Sequence, residues 1–131
     1  MKLLWAARQA VPQMSWSIHS LASQLHKWST EADRRLHRLY QYVVHVVNQD
    51  WVLTGSLSTQ DLGVLELRGW PDADLNGDDW TTRSTSGCFV ELAGAEGRSI
   101  PLTWFARKQT CTSTHICEAE TVSLVVCLKS D

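Results

Sequence analysis

The sequence predicts a mixed α/β chain, with two N-terminal helices followed by a three-stranded antiparallel meander plus helix. Three observations carry this. Apolar residues recur with a helical period through residues 14–47. After residue 63 three short strand-like runs follow, the first and third of them alternating apolar with polar or outward-facing residues. Segments rich in Gly, Asp, Ser and Thr separate those runs.

Met14, Ile18, Leu21, Leu25 and Trp28 recur at steps of four and three, which places them on one face of a first helix. Ser29 and Thr30 offer an N-cap for a second, and Asp33, three residues after Thr30, fits a capping box. Leu36, Leu39, Tyr40, Val43, Val44 and Val47 form its apolar stripe, with Arg34, Arg35, Arg38 and His45 on other faces. Glu31 and Arg35 are spaced for an i,i+4 ion pair. After Asn48 the period changes. A short strand is expected over 51–54, then a polar connector over 55–63.

The next strand is expected over 64–70, where Glu66 and Arg68 alternate with Leu65 and Leu67. Residues 71–87 read as a long loop and 88–92 as a second strand. Gly94 and Gly97 bracket a hairpin turn. In the third strand Ile100, Leu102, Trp104 and Ala106 alternate with Pro101, Thr103, Phe105 and Arg107. A final helix covers 116–129. The domain division is therefore 1–54 helical, 55–63 connector and 64–131 α/β, the last reading as the front half of an α/β sandwich.

With 131 residues, 44% of them hydrophobic and 20% charged, the chain is globular rather than disordered. Seven Trp residues serve either as core anchors or as stacking platforms for bases. Net charge is −2, so no general basic field holds nucleic acid. The balance is uneven. Residues 1–63 carry six Lys/Arg against four Asp/Glu, and residues 64–131 carry six against ten. Cys88, Cys111, Cys117 and Cys127 include no CxxC pair, which argues against a zinc ribbon or a thioredoxin-type site. Arg8 and Gln9 interrupt the opening apolar run before a signal-peptide core can form. No stretch approaches 18 apolar residues, so no membrane span is expected. The expectation is an intracellular chain with reduced thiols.

The strongest chemical signal is acidic. Asp72 and Asp74 sit at a strand end, followed by Asn76, Asp78 and Asp79, and Glu118 and Glu120 open the last helix. Carboxylates from a strand end and a helix suit Mg²⁺, which prefers oxygen ligands, and two such ions serve phosphodiester hydrolysis. The bland alternative is a solvated turn and two glutamates facing the helix dipole.

The wording of the sequence adds a resemblance. The run from Gly69-Trp70-Pro71-Asp72-Ala73-Asp74 to Leu75-Asn76-Gly77-Asp78 resembles the G-[YW]-[ST]-D-A-D-W-A-G-D stretch of copia-type retrotransposon polyproteins. Thr82-Arg83-Ser84-Thr85-Ser86-Gly87 is similar to that family's T-R-[KR]-S-T-S-G. Pro101-Leu102-Thr103-Trp104, with Arg107-Lys108-Gln109, resembles its P-[IL]-[ST]-W strand and the basic pair and Gln that follow. Glu118-Ala119-Glu120 resembles its E-A-E helix start. Upstream, Arg8-Gln9-Ala10-Val11-Pro12 and the run Leu39-Tyr40-Gln41-Tyr42-Val43 resemble, more loosely, the segment that closes the reverse transcriptase in such polyproteins.

The resemblance implies the end of a reverse transcriptase followed by a truncated ribonuclease H-like fold, which cuts the RNA strand of RNA–DNA hybrids with Mg²⁺. Asp72 corresponds to the aspartate that bridges both metals and Glu120 to the helix glutamate, while Asp74 and Glu118 take supporting roles. Asp72 and Asp74 share a face of an extended segment, so the choice between them stays open. The implied partners are hybrid or other nucleic acid and the rest of the polyprotein, with no membrane.

The pattern also breaks. The family needs a third carboxylate on a strand after this helix. Asp131, at about 16 Å along the axis from Glu120 if the helix continues, cannot supply it. Pro71 stands for Ser or Thr, Leu75 for Trp, and Thr121 for an aromatic. His115-Ile116-Cys117 replaces the usual capping hydroxyls. The expectation is an incomplete catalytic set, inactive alone, with an exposed sheet edge and an apolar helix face.

Other readings compete. Cys111, His115 and Cys117 match no common zinc spacing and read better as packed thiols. His19, His26, His37 and His45 read as helix-surface histidines rather than ligands. Arg34, Arg35 and Arg38 form either a solvated face or a nucleic-acid backbone contact. Three functional classes follow: part of a working ribonuclease H, a non-catalytic nucleic-acid-binding remnant, or a protein-interaction remnant.

Overall fold

The computed structural model describes residues 2–76 and 82–129, so Asp78, Asp79 and Asp131 lie outside the described residues. Among the described residues there are four α-helices and one three-stranded sheet, the mixed class that the two periodicities predict. The chain divides into two units, residues 1–53 and 54–131.

The first unit is helical: α1 (Lys2–Gln9), α2 (Ser15–Ala22) and α3 (Thr30–Asn48). A 3₁₀ turn at Pro12–Met14 joins the first two. Pro12 stands at its first position, where a missing N–H costs nothing. Helix α1 was not anticipated, yet its Ala7 is fully buried in the unit's core with Met14, Ile18, Leu21, Leu39 and Val46. The single helix expected over 14–28 stops early. The Ser23 hydroxyl donates to the Ser20 carbonyl at 2.8 Å, and a second 3₁₀ turn follows at Leu25–Lys27. Serine hydroxyls compete for helix carbonyls in this way. Leu25 and Trp28 consequently leave the apolar stripe and stand exposed.

Ser29 caps α3, its hydroxyl accepting from the Ala32 N–H at 3.2 Å. Asp33 does not complete a box with Thr30; its carboxylate accepts from the Trp28 indole N–H at 2.6 Å. The buried face is Ala32, Leu39 and Val46, with Leu36 and Val43 alongside, again steps of four and three. Tyr40, Val44 and Val47, placed in the stripe by sequence, are exposed. Glu31 pairs with Arg34 at 3.5 Å rather than with Arg35, which donates instead to the Ser20 hydroxyl at 2.9 Å. Residues 51–54 form no strand: the Leu53 N–H finds the Ala10 carbonyl at 2.8 Å in place of a ladder.

The second unit begins with the segment read as a connector. Ser56 N–H donates to the Ser99 carbonyl at 3.0 Å, and Ser58 opens a 3₁₀ turn at Thr59–Gly63 through a capping box with Asp61. Asp61 is fully buried against Gly94, where any Cβ would lie 2.6 Å from its carboxyl carbon. Strands β1 (Glu66–Asp74), β2 (Thr85–Ala93) and β3 (Ser99–Lys108) pair antiparallel in the order β1-β2-β3. Strand β1 runs four residues further than expected, through Pro71. As an edge strand it tolerates a proline that donates nothing to the ladder.

Helix α4 (Ile116–Leu128) packs on one face of the sheet. Cys127 is disulfide-bonded to Cys88 of β2, with the Cα atoms 5.6 Å apart, so the expectation of reduced thiols fails for this pair. One helical turn earlier, the Ser123 hydroxyl lies 2.5 Å from the Asp72 carbonyl and 3.1 Å from that of Gly87. Gly69 leaves room for the Cys127 sulfur, 3.6 Å from where its Cβ would stand. The helix therefore runs antiparallel to β1 and approaches closely through Ala119, Ser123 and Cys127. Its other side, Ile116, Leu124, Val125 and Leu128, is exposed, as are Leu67 and Trp70 of β1.

Candidate functional site

Strand alternation decides which face each carboxylate takes. Cys88 bonds to α4, and Ser86 accepts from Gln109 Nε2, which also donates to the Ala119 carbonyl of α4. Both residues thus face the helix. Gly87 between them faces away, and so does Asp72, its cross-strand partner. Asp74, two residues on, shares that face. So do Phe89 and Trp104, stacked at 6.2 Å, and Trp70, the partner of Phe89. The far face of the sheet thus carries an aromatic row beside two exposed carboxylates.

Glu118 and Glu120 lie near the start of α4, at the end of the unit where β1 terminates with Asp74. The N-cap, His115, makes no side-chain cap bond. Glu118 supplies the lost capping, its carboxylate accepting from the Thr114 N–H at 2.8 Å and the Thr114 hydroxyl at 3.1 Å. Those two bonds, the backbone one first, hold its carboxyl below the ordinary glutamate range. Glu120 is half-buried.

The fold brings all four predicted residues to one end of the unit, linked through Ser123 and the Asp72 carbonyl. It does not gather them: among the described residues no three His, Cys, Asp or Glu side chains converge as a metal site. Mg²⁺ demands near-ideal octahedral oxygen geometry. Asp72 and Asp74 face one way and the glutamates stand on a helix over the other face, so these residues alone do not fit a complete shell. Cys111 and Cys117 are exposed free thiols.

Several residues with defined roles escaped sequence reasoning as individuals, although the motifs contain them. Gln109 is buried, donating to Ser86 and Ala119 while its Oε1 accepts from the Ser113 hydroxyl at 3.1 Å. Its backbone N–H donates to the Ser84 carbonyl at 2.8 Å. Ser84 and Ser86 are buried too, so polar letters of the T-R-S-T-S-G stretch are structural. The histidines meet the helix-surface reading at His45, which packs edge-on to Trp51 at 5.1 Å. No helix among the described residues is long and apolar enough to cross a membrane. Comparison with family models, curated proteins and solved structures finds no match.

Proposed function

We propose that the chain is a piece of a copia-type retrotransposon polyprotein, with the end of a reverse transcriptase in the first unit and the front of a ribonuclease H-like domain in the second. One observation carries the reading. Asp72 stands on the first strand of an antiparallel meander, and Glu120 lies near the start of the helix that follows, at the same end. Between them, Ser84, Ser86 and Gln109 of the intervening motifs fill buried structural positions, which supports the idea that those stretches serve one fold.

On this reading the ligand class is RNA–DNA hybrid. The resemblance assigns Mg²⁺ to Asp72 and Glu120, with Asp74 and Glu118 beside them; their placement on opposite faces of the sheet leaves a shell that other groups must complete. Two matched carboxylates are fewer than two-metal hydrolysis uses, so these 131 residues alone bind hybrid without cutting it. A second reading, an interaction remnant, is favoured by the exposed Leu124, Val125 and Leu128 of α4 and by Leu67 and Trp70 of β1.

Mn²⁺, a paramagnetic substitute for Mg²⁺, tests the assignment by NMR. Selective broadening around Asp72 and Glu120, lost in Asp72→Asn, is expected, together with salt-sensitive binding of a hybrid duplex. Hybrid binding without broadening leaves a non-catalytic binder. Absence of both rejects the ribonuclease reading and leaves the interaction remnant.

A further inference from the structure

Beyond that reading, we propose that the first unit carries a site for a nucleoside phosphate, in a cavity beside α2 and α3. The cavity measures about 360 Å³. That falls at the small end of the range for small-molecule sites, about 300–1,000 Å³, and suits a single nucleotide-sized group. Its walls divide by chemistry. Trp16 and Tyr42 offer two aromatic surfaces, each part-exposed at 47% and 38%, so their rings are open to a ligand. Arg35 and Arg38, one helical turn apart on α3, supply two cations on the same side. Gln13 and Ser17 add neutral hydrogen-bonding groups. The floor is apolar, from Met14, Leu21 and Leu39 of the unit's core. No carboxylate is among the described residues that line it.

This combination selects a ligand that is aromatic at one end and anionic at the other. A base stacks on an indole or phenol ring, and a phosphate takes the fork of a guanidinium. An apolar ligand would strand two arginines, and a bare anion would leave the aromatic walls unused. The Ser20 hydroxyl accepts from Arg35 Nη2 at 2.9 Å and holds that side chain in place before any ligand arrives. Pre-organisation of this kind lowers the cost of binding. Arg34, the third member of the basic cluster, is instead paired with Glu31 and does not line the cavity. The cluster thus splits into two site residues and one surface residue.

The test is calorimetric titration of the full chain with adenosine monophosphate, inorganic phosphate and a short single-stranded DNA. Saturable 1:1 binding of the nucleotide is expected. Loss of a charge-assisted hydrogen bond in Arg38→Ala should weaken it about tenfold or more. Trp16→Leu should also weaken it, while Arg34→Ala, which removes the same charge outside the cavity, should change it less than about twofold. The proposal is overturned if Arg34→Ala weakens binding as much as Arg38→Ala, if phosphate binds as tightly as the nucleotide, or if no saturation occurs at millimolar nucleotide. Of the sources, a strand end is favoured if the oligonucleotide competes and binds tighter, and a free nucleotide if it does not. Circular dichroism of the variants separates misfolding from loss of the site; should Arg38→Ala unfold, Arg38→Lys carries the same test.

Discussion

Arg98 grips Asp61 from 37 residues away, Nε donating to Oδ2 at 3.0 Å and Nη2 to Oδ1 at 2.9 Å. The amides of Ser58 and Ala95 add two more donors to the same carboxylate, at 2.7 and 2.9 Å. A buried charge is costly unless it is paired in this way. Here four N–H groups converge on a side chain with no solvent exposure. The Arg98 hydrogen bonds first, and the Ser58 amide next, hold the Asp61 carboxyl far below the ordinary range for aspartate. The pair fastens the segment before β1 to the turn between β2 and β3.

The depressed Asp61 carboxyl makes the stability of the second unit depend on pH. In the unfolded chain Asp61 takes up a proton near the ordinary value of about 3.9, whereas the folded carboxylate resists protonation to much lower pH. Its contribution is therefore full above about pH 5 and declines as the pH falls toward the depressed value. Asp61→Asn should lower the melting temperature at neutral pH and flatten the acid limb. Glu96→Gln, which touches only the exposed partner of Arg98, should do little. Thermal melts at about pH 3, 5 and 7 decide it. Identical acid limbs for wild type and Asp61→Asn would refute the assignment.

The same pair shows what sequence periodicity reads and what it misses. Alternation found β1 and β3, and a short run of mostly apolar residues between turn signals found the middle of β2. The end of β1 was missed because Pro71 and two aspartates look like loop, and only the edge position of the strand makes them acceptable. In α3 Leu36, Leu39 and Val43 were read on the correct face, but the stripe was drawn too wide and missed Ala32 and Val46, because Tyr40, Val44 and Val47 are as apolar as the residues that are buried. Asp61 lay in a run of polar residues with nothing local to mark it as buried; its partner is distant in sequence. At the candidate site, Asp72 and Glu120 were visible as letters. The face each takes followed only from the Gly87 pairing and the Cys88 bond.

Gln109 ties three parts of the second unit together: β2, the loop after β3 and α4, through Ser86, Ser113 and the Ala119 carbonyl. Gln109→Leu preserves size but strips partners from three polar groups in a buried setting, each worth about 1–3 kcal/mol when left unsatisfied. Relaxation and water entry reduce the sum, so a net loss on the order of 2–3 kcal/mol is expected. Urea unfolding should show a lower midpoint with an unchanged slope. A loss below about 0.5 kcal/mol would make the site equivalent to a surface position.

The Cys88–Cys127 bond is expected to hold α4 on the sheet. Besides it, polar links tie that helix to the rest of the unit: the Ser123 hydroxyl to the Asp72 and Gly87 carbonyls, and the Gln109 amide to the Ala119 carbonyl. Its large apolar residues Leu124, Val125 and Leu128 point outward and contribute little to this packing. A cross-link spanning 39 residues restricts the unfolded chain by on the order of 3–4 kcal/mol on the chain-entropy account. Reduction by excess thiol should therefore lower the melting temperature of the second unit and accelerate amide exchange along α4. Helix α3, which belongs to the other unit, serves as the internal reference and should keep its protection. Cys88→Ser with Cys127→Ser should reproduce the reduced state and respond no further to thiol. If α4 exchanges equally slowly with and without the bond, then Ser123 and Gln109 suffice to anchor it, and the cross-link is incidental to that contact.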